Sequence, residues 1–214
     1  MNDHFLREMN LEFDKCHKYR RPGFITLSGN PGSGKTLCSQ ELSRELGIYL
    51  LSNDYIRSYY NCMDDLTINV EQKVSYINRK RFIKLLLNRI SFVMDSNNHN
   101  IDTLNKLRKL AYLLNYEFIS IRLISQNDQE NIQRISKRIM DLDNKIFGVI
   151  GDNSFYSTSY TEKEYYNIVS TKPIYIPNYY FDYIIYNQST EENFLRNIHE
   201  VIDDISSKKL VKSF

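Results

Sequence analysis

The stretch from Gly23 to Leu46 reads GFITLSGNPGSGKTLCSQELSREL and decides the fold class. Its first part is an apolar run with β-branched residues, which predicts a buried strand. Its last part repeats apolar residues at helical spacing as far as Gly47, a residue suited to end a helix. Between them the residues match the pattern GxxxxGK[ST], and these residues are Gly29, Asn30, Pro31, Gly32, Ser33, Gly34, Lys35 and Thr36. A strand, this loop and a helix in that order predict a βαβ unit that binds a polyphosphate.

The residue types of the loop match the chemistry of a nucleotide triphosphate. Successive backbone N–H groups of such a loop point inward around the phosphates, and glycines at 29, 32 and 34 permit the backbone angles that this needs. The positive end of the following helix and the ammonium of Lys35 add charge beside the β- and γ-phosphates, and the Thr36 hydroxyl can bind magnesium. The loop therefore predicts a site for ATP and Mg²⁺.

The rest of the chain continues the alternation of strands and helices. Short apolar runs predict strands, and longer runs with helical spacing predict helices. The expected strands are 48–52, 90–95, 117–124 and 183–187; the expected helices are 53–60, 70–90, 101–115, 128–140 and one that starts at Thr190. This pattern predicts an α/β fold of the P-loop NTPase kinase type. Its sheet should be mainly parallel and five-stranded, with helices on both faces and a lid segment.

The length of 214 residues, with 42% hydrophobic residues, predicts a single domain, 1–214. Apolar residues at helical spacing predict a lead-in helix within 1–22, over residues 2–19. The Tyr-rich segment at about 138–180 breaks the alternation apart from a possible short helix at 161–169, and we interpret it as a lid, near 138–160, with a returning connection. Asn53 or Asp54 is expected to cap the helix after the second strand.

Charge and cysteine content narrow the function classes. The 28 basic and 26 acidic residues give a net charge of +2, so a large basic excess for nucleic acid is absent. The three cysteines form no CxxC pair, and the four histidines form no metal or triad spacing, which speaks against a zinc site and against hydrolase chemistry. No run is long enough to span a membrane, so we expect a cytoplasmic protein; the composition is typical of an AT-rich bacterial or phage genome.

Asp95 ends the expected strand 90–95, where a parallel sheet delivers side chains to the edge that carries the phosphate loop. An acid at this place is suited to organise magnesium together with Thr36. The alternative is an Asp that caps the following turn, because Ser96, Asn97 and Asn98 are turn-forming residues.

Asp54 and Arg57 follow the second expected strand as D-x-x-R, one helical turn apart on the same face. The carboxylate could accept the proton of a hydroxyl that is being phosphorylated, and the guanidinium could hold a neighbouring phosphate. The alternative is a helix cap with a surface ion pair, and the sequence alone does not separate the two.

Arg134 and Arg138 lie one turn apart in QENIQRISKRIMD, directly before the expected lid. Two arginines there could stabilise the charge of a phosphoryl transition state, whereas the alternative is a solvated helix face. The tyrosines of the irregular segment could stack a base, although such residues more often only pack. These tyrosines are Tyr156, Tyr160, Tyr165, Tyr166, Tyr175, Tyr179 and Tyr180.

Taken together, GNPGSGKT, SNDYIR, FVMDSNN and QRISKR resemble the motifs of P-loop kinases related to the polynucleotide 5′-hydroxyl kinases. The resemblance extends from about Gly23 to His199. It implies that Lys35 and Thr36 hold the phosphates and magnesium and that Asp54 is the general base. It also implies that Arg57 engages the acceptor and that Arg138, with Arg134 as a weaker parallel, contacts the donor phosphates. The expected reaction is transfer of the γ-phosphate of ATP to a hydroxyl, first of all a polynucleotide 5′ end.

Three other readings stay open. Nucleoside monophosphate kinases share D-x-x-R and R-x-x-x-R, but they carry a Gly-Phe-Pro-Arg element where this chain has Asp95-Ser96-Asn97-Asn98. The zeta-toxin group resembles the chain in its P-loop and phosphorylates sugar nucleotides. A P-loop switch would bind ATP or GTP without an acceptor. The acceptor could therefore be a nucleic-acid 5′ end or a small nucleoside-like molecule, and the sequence does not predict the oligomeric state.

Overall fold

The computed structural model describes most of the chain, with gaps. The described residues are 13–59, 68–95, 100–125, 128–140, 163, 166, 169–170, 176–188 and 190–210. For residues 58–59, 68–69 and 135–140 only the backbone is described.

The strands form one five-stranded sheet. They are β1 (Gly23–Ser28), β2 (Tyr49–Ser52), β3 (Phe92–Asp95), β4 (Glu117–Ser125) and β5 (Tyr183–Asn187). Their order across the sheet is β2-β3-β1-β4-β5, and each neighbouring pair is parallel. The prediction of a mainly parallel five-stranded sheet is confirmed, and the pairing of these strands is parallel throughout. Because all strands run the same way, their carboxyl ends meet at one edge.

Within the described part of the chain, six helices with defined bounds connect the strands or follow them. They are α1 (Lys35–Leu46), α2 (Asn53–Tyr59), α3 (Ile68–Leu87), α4 (Ile101–Leu113), α5 (Asp128–Met140) and α6 (Glu191–Lys208), and a short 3₁₀ turn covers Asn178–Tyr180. Gly47 ends α1 with a left-handed φ of 62°, as the sequence predicts. The Thr190 side chain caps α6 by accepting from the Asn193 N–H.

The helices cover both faces of the sheet. Ile25 and Leu27 of β1 lie in the core with α1 and α6, whereas Phe24 lies in a second core with α3 and α4. The second core is rich in aromatic rings; Phe24 stands 4.6 Å from Phe92 and 5.3 Å from Phe118 between ring centroids. A sheet buried on both faces needs continuous apolar strands, which explains why the central strands were recognisable in the sequence.

Two local predictions are wrong. The cap of α2 is Ser52, whose hydroxyl accepts from the Tyr55 N–H at 3.4 Å, and not Asn53 or Asp54. The lead-in helix does not reach residue 19, since among residues 13–22 only Phe13 and Asp14 are helical. The following residues are held against the end of α1 instead, where the His17 N–H donates to the Gly47 carbonyl at 2.8 Å. Residues 1–12 lie outside the described part.

The predicted lid falls largely outside the described residues. Helix α5 continues to Met140, and the next described residues, Lys163, Tyr166, Val169 and Ser170, are helical, in agreement with a short helix at 161–169. Near the end of this segment Ile176 and Phe181 are buried against Leu104 of α4. Over the described parts of the chain, none of the helices combines the length and apolarity needed to cross a membrane.

Candidate active site

The phosphate-binding loop joins β1 to α1 at the carboxyl edge of the sheet. Gly32 and Gly34 have left-handed φ angles of 77° and 98°, which side-chain-bearing residues rarely adopt. The Ser33 N–H donates to the Asn30 carbonyl at 3.1 Å, and α1 starts directly after Gly34. The first N–H groups of α1 therefore face the loop, where an anion would be favoured by the helix dipole.

Gly29 is required for a different reason from the one that the sequence suggested. It has no left-handed φ, so freedom of backbone angle is not what the position needs. A Cβ at Gly29 would lie 2.5 Å from the Ser33 hydroxyl and 2.8 Å from the Leu123 carbonyl. The loop crosses over β4 too closely for any side chain at this position.

Lys35 lies across the mouth of the loop. Its ammonium donates to the carbonyls of Gly29 at 2.9 Å and Asn30 at 2.7 Å, so the side chain folds back over the residues that precede it. An ammonium held in this way is a fixed positive charge at the place where the pattern predicts the β- and γ-phosphates.

Two neighbouring elements close the sides of the loop. A Cβ on Gly32 would lie 2.6 Å from the carbonyl oxygen of Asn131 in α5, and a Cβ on Gly34 would lie 2.6 Å from the ring of Phe194 in α6. Asn187 at the end of β5 donates its side-chain amide to the Ser33 carbonyl at 3.0 Å. Sequence reasoning missed Asn131, Asn187 and Phe194, because no local pattern links them to residues 29–36.

Asp95 ends β3, which lies between β1 and β2, and it is the register partner of Ser52. Burial raises the pKa of the Cys38 thiol in α1, and the Asp95 and Glu41 carboxylates add to that rise. Within the described residues no three His, Cys, Asp or Glu side chains form a metal cluster. A Thr hydroxyl and one carboxylate nevertheless fit Mg²⁺, which is commonly bound through one or two carboxylates together with phosphates and water.

Asp54 and Arg57 belong to a network that joins α2 to α3, here named the α2–α3 cluster (Asn53, Asp54, Arg57, Glu71 and Asn78). Arg57 forms an ion pair with Asp54, and it also donates from Nε at 3.0 Å and from Nη2 at 2.8 Å to the Glu71 carboxylate. Asn78 donates its amide to the Asn53 side chain. Because the Arg57 residue is only 8% exposed, the pair is not the surface ion pair that was the alternative interpretation.

The electrostatics of the α2–α3 cluster follow from this burial. Burial by itself would lower the pKa of the Arg57 guanidinium, but Asp54 first and Glu71 next outweigh it, so that pKa is raised above its ordinary value. Arg57 is therefore a permanent cation with one carboxylate on its own helix and one on α3.

Arg81 of α3 supports the same region from below. It is 2% exposed, and its guanidinium lies 5.5 Å from the Tyr49 ring centroid and 5.1 Å from that of Tyr55. Tyr55 follows Asp54 directly, so this cation–π contact connects the start of α2 to α3. A buried arginine inside an otherwise ordinary helical pattern carries no sequence signal of its own.

The two candidate lid arginines are described to different extents. Arg134 in α5 pairs with Glu130 at 3.2 Å, one turn from Asn131, whose backbone contacts the phosphate loop. The backbone of Arg138 is helical within α5, and its side chain lies outside the described part.

Among the seven candidate tyrosines, Tyr166, Tyr179 and Tyr180 are described; Tyr179 is 82% exposed, and its ring lies 4.9 Å from that of Tyr180. The other four lie outside the described residues; they are Tyr156, Tyr160, Tyr165 and Tyr175.

Comparison with solved structures supports the fold class that the site implies. The chain resembles the APS kinase of Mycobacterium tuberculosis, solved with AMPPNP and APS, with a TM-score of 0.50, 18% identity and coverage of 86% and 96% of the two chains. It resembles Chaetomium thermophilum Kti12 with ADP-AlF3 with a TM-score of 0.53, 15% identity and coverage of 86% and 99%. A structure of the PezAT toxin-antitoxin system of Streptococcus pneumoniae matches with a TM-score of 0.51, 13% identity and coverage of 81% and 96%. The chain has the fold of the P-loop kinases.

The family follows from the sequence match. The zeta toxin family model matches residues 9–158, so the chain belongs to the zeta toxin family. A search of curated proteins found no match. Membership of this family supports a kinase type of phosphate transfer.

Proposed function

We propose that the protein is an ATP- and Mg²⁺-dependent kinase that transfers the γ-phosphate to a hydroxyl, with a polynucleotide 5′-hydroxyl as the first candidate acceptor. One observation carries the proposal. A phosphate-binding loop with its lysine lies at the same sheet edge as a buried carboxylate–guanidinium pair on α2. A nucleotide-binding switch requires only the loop. Phosphorylation of a hydroxyl also requires a proton acceptor and a group that holds the acceptor, and the carboxylate–guanidinium pair can supply both.

On the donor side, the loop N–H groups and Lys35 would bind the β- and γ-phosphates. Thr36 and Asp95 would hold Mg²⁺, which when bound neutralises charge on the phosphates. Arg134 and Arg138 would contact the donor phosphates from α5. Support for Arg134 comes from its position on α5 one turn from Asn131, whose backbone packs against Gly32 of the loop.

On the acceptor side, Asp54 would accept the proton of the acceptor hydroxyl while the oxygen of that hydroxyl forms a bond to the γ-phosphorus. The bond from that phosphorus to the bridging oxygen breaks, and the nucleoside diphosphate leaves with that electron pair. Arg57 would engage the acceptor. Since Asp54 and Glu71 both hold Arg57, contact with an acceptor phosphate would require the guanidinium to exchange the Asp54 carboxylate for the phosphate while Glu71 keeps it in place.

The distribution of charge supports a polyanionic acceptor, although the net charge is small. Helix α3 carries five basic and one acidic residue and α4 carries three and one, whereas α6 on the other face carries two basic and five acidic residues. Along α3, Lys73, Tyr76, Lys80 and Lys84 recur every three or four residues, and the Lys80 ammonium lies 4.5 Å from the Tyr76 ring centroid. These four residues, here named the α3 stripe, form a basic surface that could bind a polyanion by charge and by stacking. The stripe lies on the side of α3 opposite to Glu71 and Asn78, because positions two residues apart differ by about 200° around a helix.

A sugar nucleotide is the second candidate acceptor. It is favoured by membership of the zeta toxin family, whose P-loop the chain shares, and by the engagement of Arg57 with two carboxylates in this structure. Such an acceptor would present neutral hydroxyls to the α2–α3 cluster, which the Asn53 and Asn78 amides and the two carboxylates can bind.

The experiment is transfer of labelled γ-phosphate from ATP in magnesium to a panel of acceptors. The panel contains 5′-hydroxyl DNA and RNA oligonucleotides, nucleosides, nucleoside monophosphates and sugar nucleotides, with Lys35→Ala as control. Label on an oligonucleotide end, lost in the variant, is the expected result. Label on a small molecule would leave the kinase assignment intact and replace the acceptor, and binding of ATP with no transfer to any of them would favour a switch.

A further inference from the structure

The last strand of the sheet contacts the phosphate-binding loop directly. Asn187 ends β5, and its residue is 7% exposed. Its side-chain amide donates to the Ser33 carbonyl at 3.0 Å, across 154 residues of sequence. A buried side-chain donor that reaches a loop carbonyl is costly to remove, since the carbonyl would lose its partner away from water.

The same peptide unit is enclosed by the start of α6. A Cβ on Gly34 would lie 2.6 Å from Cε1 and Cζ of Phe194 and 2.8 Å from Nδ2 of Asn187. Phe194 itself is 2% exposed and lies in the core between α1 and α6. The Ser33–Gly34 peptide therefore rests on a rigid surface, and Asn187 supplies the polar contact within it.

The orientation of this peptide matters for phosphate binding. In a trans peptide the C=O and the N–H point in opposite directions. With the Ser33 carbonyl turned outward to Asn187, the Gly34 N–H points to the inner side of the loop, where a phosphate oxygen would lie. A rotation of the peptide would replace that donor with a carbonyl oxygen, which repels an anion.

We infer that Asn187 is a positioning residue for ATP: it holds the Ser33–Gly34 peptide in the orientation that binds the phosphate chain. The inference rests on the proposed function, because it assigns a role in binding of the donor. Asparagine suits this position since a neutral amide donates one hydrogen bond without adding charge beside the phosphates.

The test compares ATP and AMP binding by isothermal titration calorimetry, without acceptor, for the wild type, Asn187→Asp and Asn187→Ala. An aspartate keeps the shape but cannot donate and adds a negative charge, so we expect ATP affinity to fall about tenfold or more. Asn187→Ala, which adds no charge, should lose several-fold. AMP has no β- or γ-phosphate, so its affinity should fall less, and the ratio of ATP to AMP affinity should decrease in both variants.

Asn197 offers a matched control. Its side-chain amide also donates to a backbone carbonyl, that of Tyr186 at 3.1 Å, but on the exposed surface of α6. Asn197→Asp should keep the wild-type affinities, and thermal unfolding should show that each variant is folded.

The outcomes separate the role of Asn187 from the proposed function. Wild-type affinity for ATP in both Asn187 variants would overturn the positioning role alone, as would an equal loss of ATP and AMP affinity, which indicates a merely structural effect. A wild-type protein that does not bind ATP would overturn the proposed function together with this role.

Discussion

The phosphate-binding loop and the α2–α3 cluster lie at the same edge of the sheet but are built in different ways. The loop consists of eight consecutive residues, and its shape depends on the left-handed φ angles of Gly32 and Gly34. The cluster combines residues from two helices, and its central contact joins Arg57 to Glu71, 14 positions away. A local structure leaves a pattern in the sequence, whereas a cluster assembled by tertiary packing leaves only ordinary residues at ordinary helix positions.

The two regions also use different kinds of charge. The loop offers backbone dipoles, a helix N-terminus and one lysine, all suited to an anion that arrives with the nucleotide. The cluster contains a buried cation that is already balanced by two carboxylates. Removing one carboxylate leaves the guanidinium without part of its balancing charge. Substitutions that keep the side-chain shape but remove the charge should therefore already impair the cluster.

Asp54→Asn should separate chemistry from donor binding most strongly. The amide keeps the shape but cannot accept the hydroxyl proton, so we expect the transfer rate to fall by about 10²- to 10⁴-fold. ATP affinity should stay at the wild-type value, because the phosphate loop is unchanged. Single-turnover kinetics and calorimetry measure the two quantities, with Asp203→Asn on the exposed face of α6 as control. An equal loss of ATP affinity would show that the two regions are not separate.

Gly34→Ala should damage the loop. The new methyl group would meet Phe194 at 2.6 Å, and the φ of 98° is unfavourable for alanine. We expect ATP affinity to fall by about 10- to 100-fold, on the order of 1–3 kcal/mol, because the strain displaces the peptide that faces the phosphates. Gly47→Ala is the matched control: its φ of 62° is also left-handed, but it lies at the far end of α1. It should lower the melting temperature and leave ATP affinity unchanged; a parallel loss there would point to general destabilisation.

Glu71→Gln should affect the acceptor and spare the donor. The variant keeps one hydrogen bond to Arg57 but removes a charge, so the guanidinium is held less firmly. We expect the acceptor KM to rise about tenfold while the ATP KM stays unchanged. The effect should not be larger, because the Arg57–Glu71 pair is partly exposed and therefore screened by solvent. Glu45→Gln, in an exposed pair with Arg44, serves as control. A lower acceptor KM would mean that Glu71 competes with the acceptor for Arg57.

Reversal of charge on the α3 stripe tests whether the acceptor is a polyanion. Lys80→Glu together with Lys84→Glu should raise the oligonucleotide KM several-fold and reduce its dependence on salt. The ATP KM should not change, since α3 and the loop lie on different elements. Arg196→Glu on the acidic α6 is the control. An effect of the same size in Arg196→Glu would show a nonspecific influence of net charge.

Asp182→Asn lies outside both regions and should affect stability alone. Asp182 accepts from the Ser120 N–H and hydroxyl, both at 2.8 Å, and pairs with Lys209 at 3.2 Å. Burial raises the pKa of Asp182, but the Ser120 hydrogen bonds and Lys209 outweigh it, so the pKa is lowered in the folded protein. The ionised form thus stabilises the fold above the unfolded-state pKa, and this contribution is lost as pH falls through the folded-state pKa.

For Asp182→Asn we therefore expect a loss of about 1 kcal/mol of unfolding free energy at neutral pH. The difference from the wild type should shrink on acidification below about pH 4. Urea denaturation of both proteins from neutral to acidic pH measures this difference in unfolding free energy. A constant difference at every pH would contradict the role of the Asp182 charge.

The sequence by itself determined the fold class and the position of the phosphate-binding loop. All five described strands and most of the described helices were predictable from the sequence. A sheet covered on both faces needs continuous apolar strands, and a helix that packs on it needs apolar residues with a period near 3.6. The loop is recognisable because its function depends on backbone angles that only certain residues permit. Asp54, Arg57 and Asp95 were predicted as candidates for a different reason: Asp95 ends a strand, and the other two follow a strand as D-x-x-R. Their alternatives stayed open because a cap or an ion pair uses the same residue types.

The tertiary structure decided what surrounds these residues. It replaced Asn53 or Asp54 with Ser52 as the cap of α2, ended the lead-in segment against α1, and brought Glu71, Arg81, Asn131, Asn187 and Phe194 to the site. These contacts depend on crossover connections that place distant segments side by side in the order β2-β3-β1-β4-β5. Distance in sequence carries no information about such neighbours, because packing of a helix on a sheet depends on the faces of both elements and not on any local pattern.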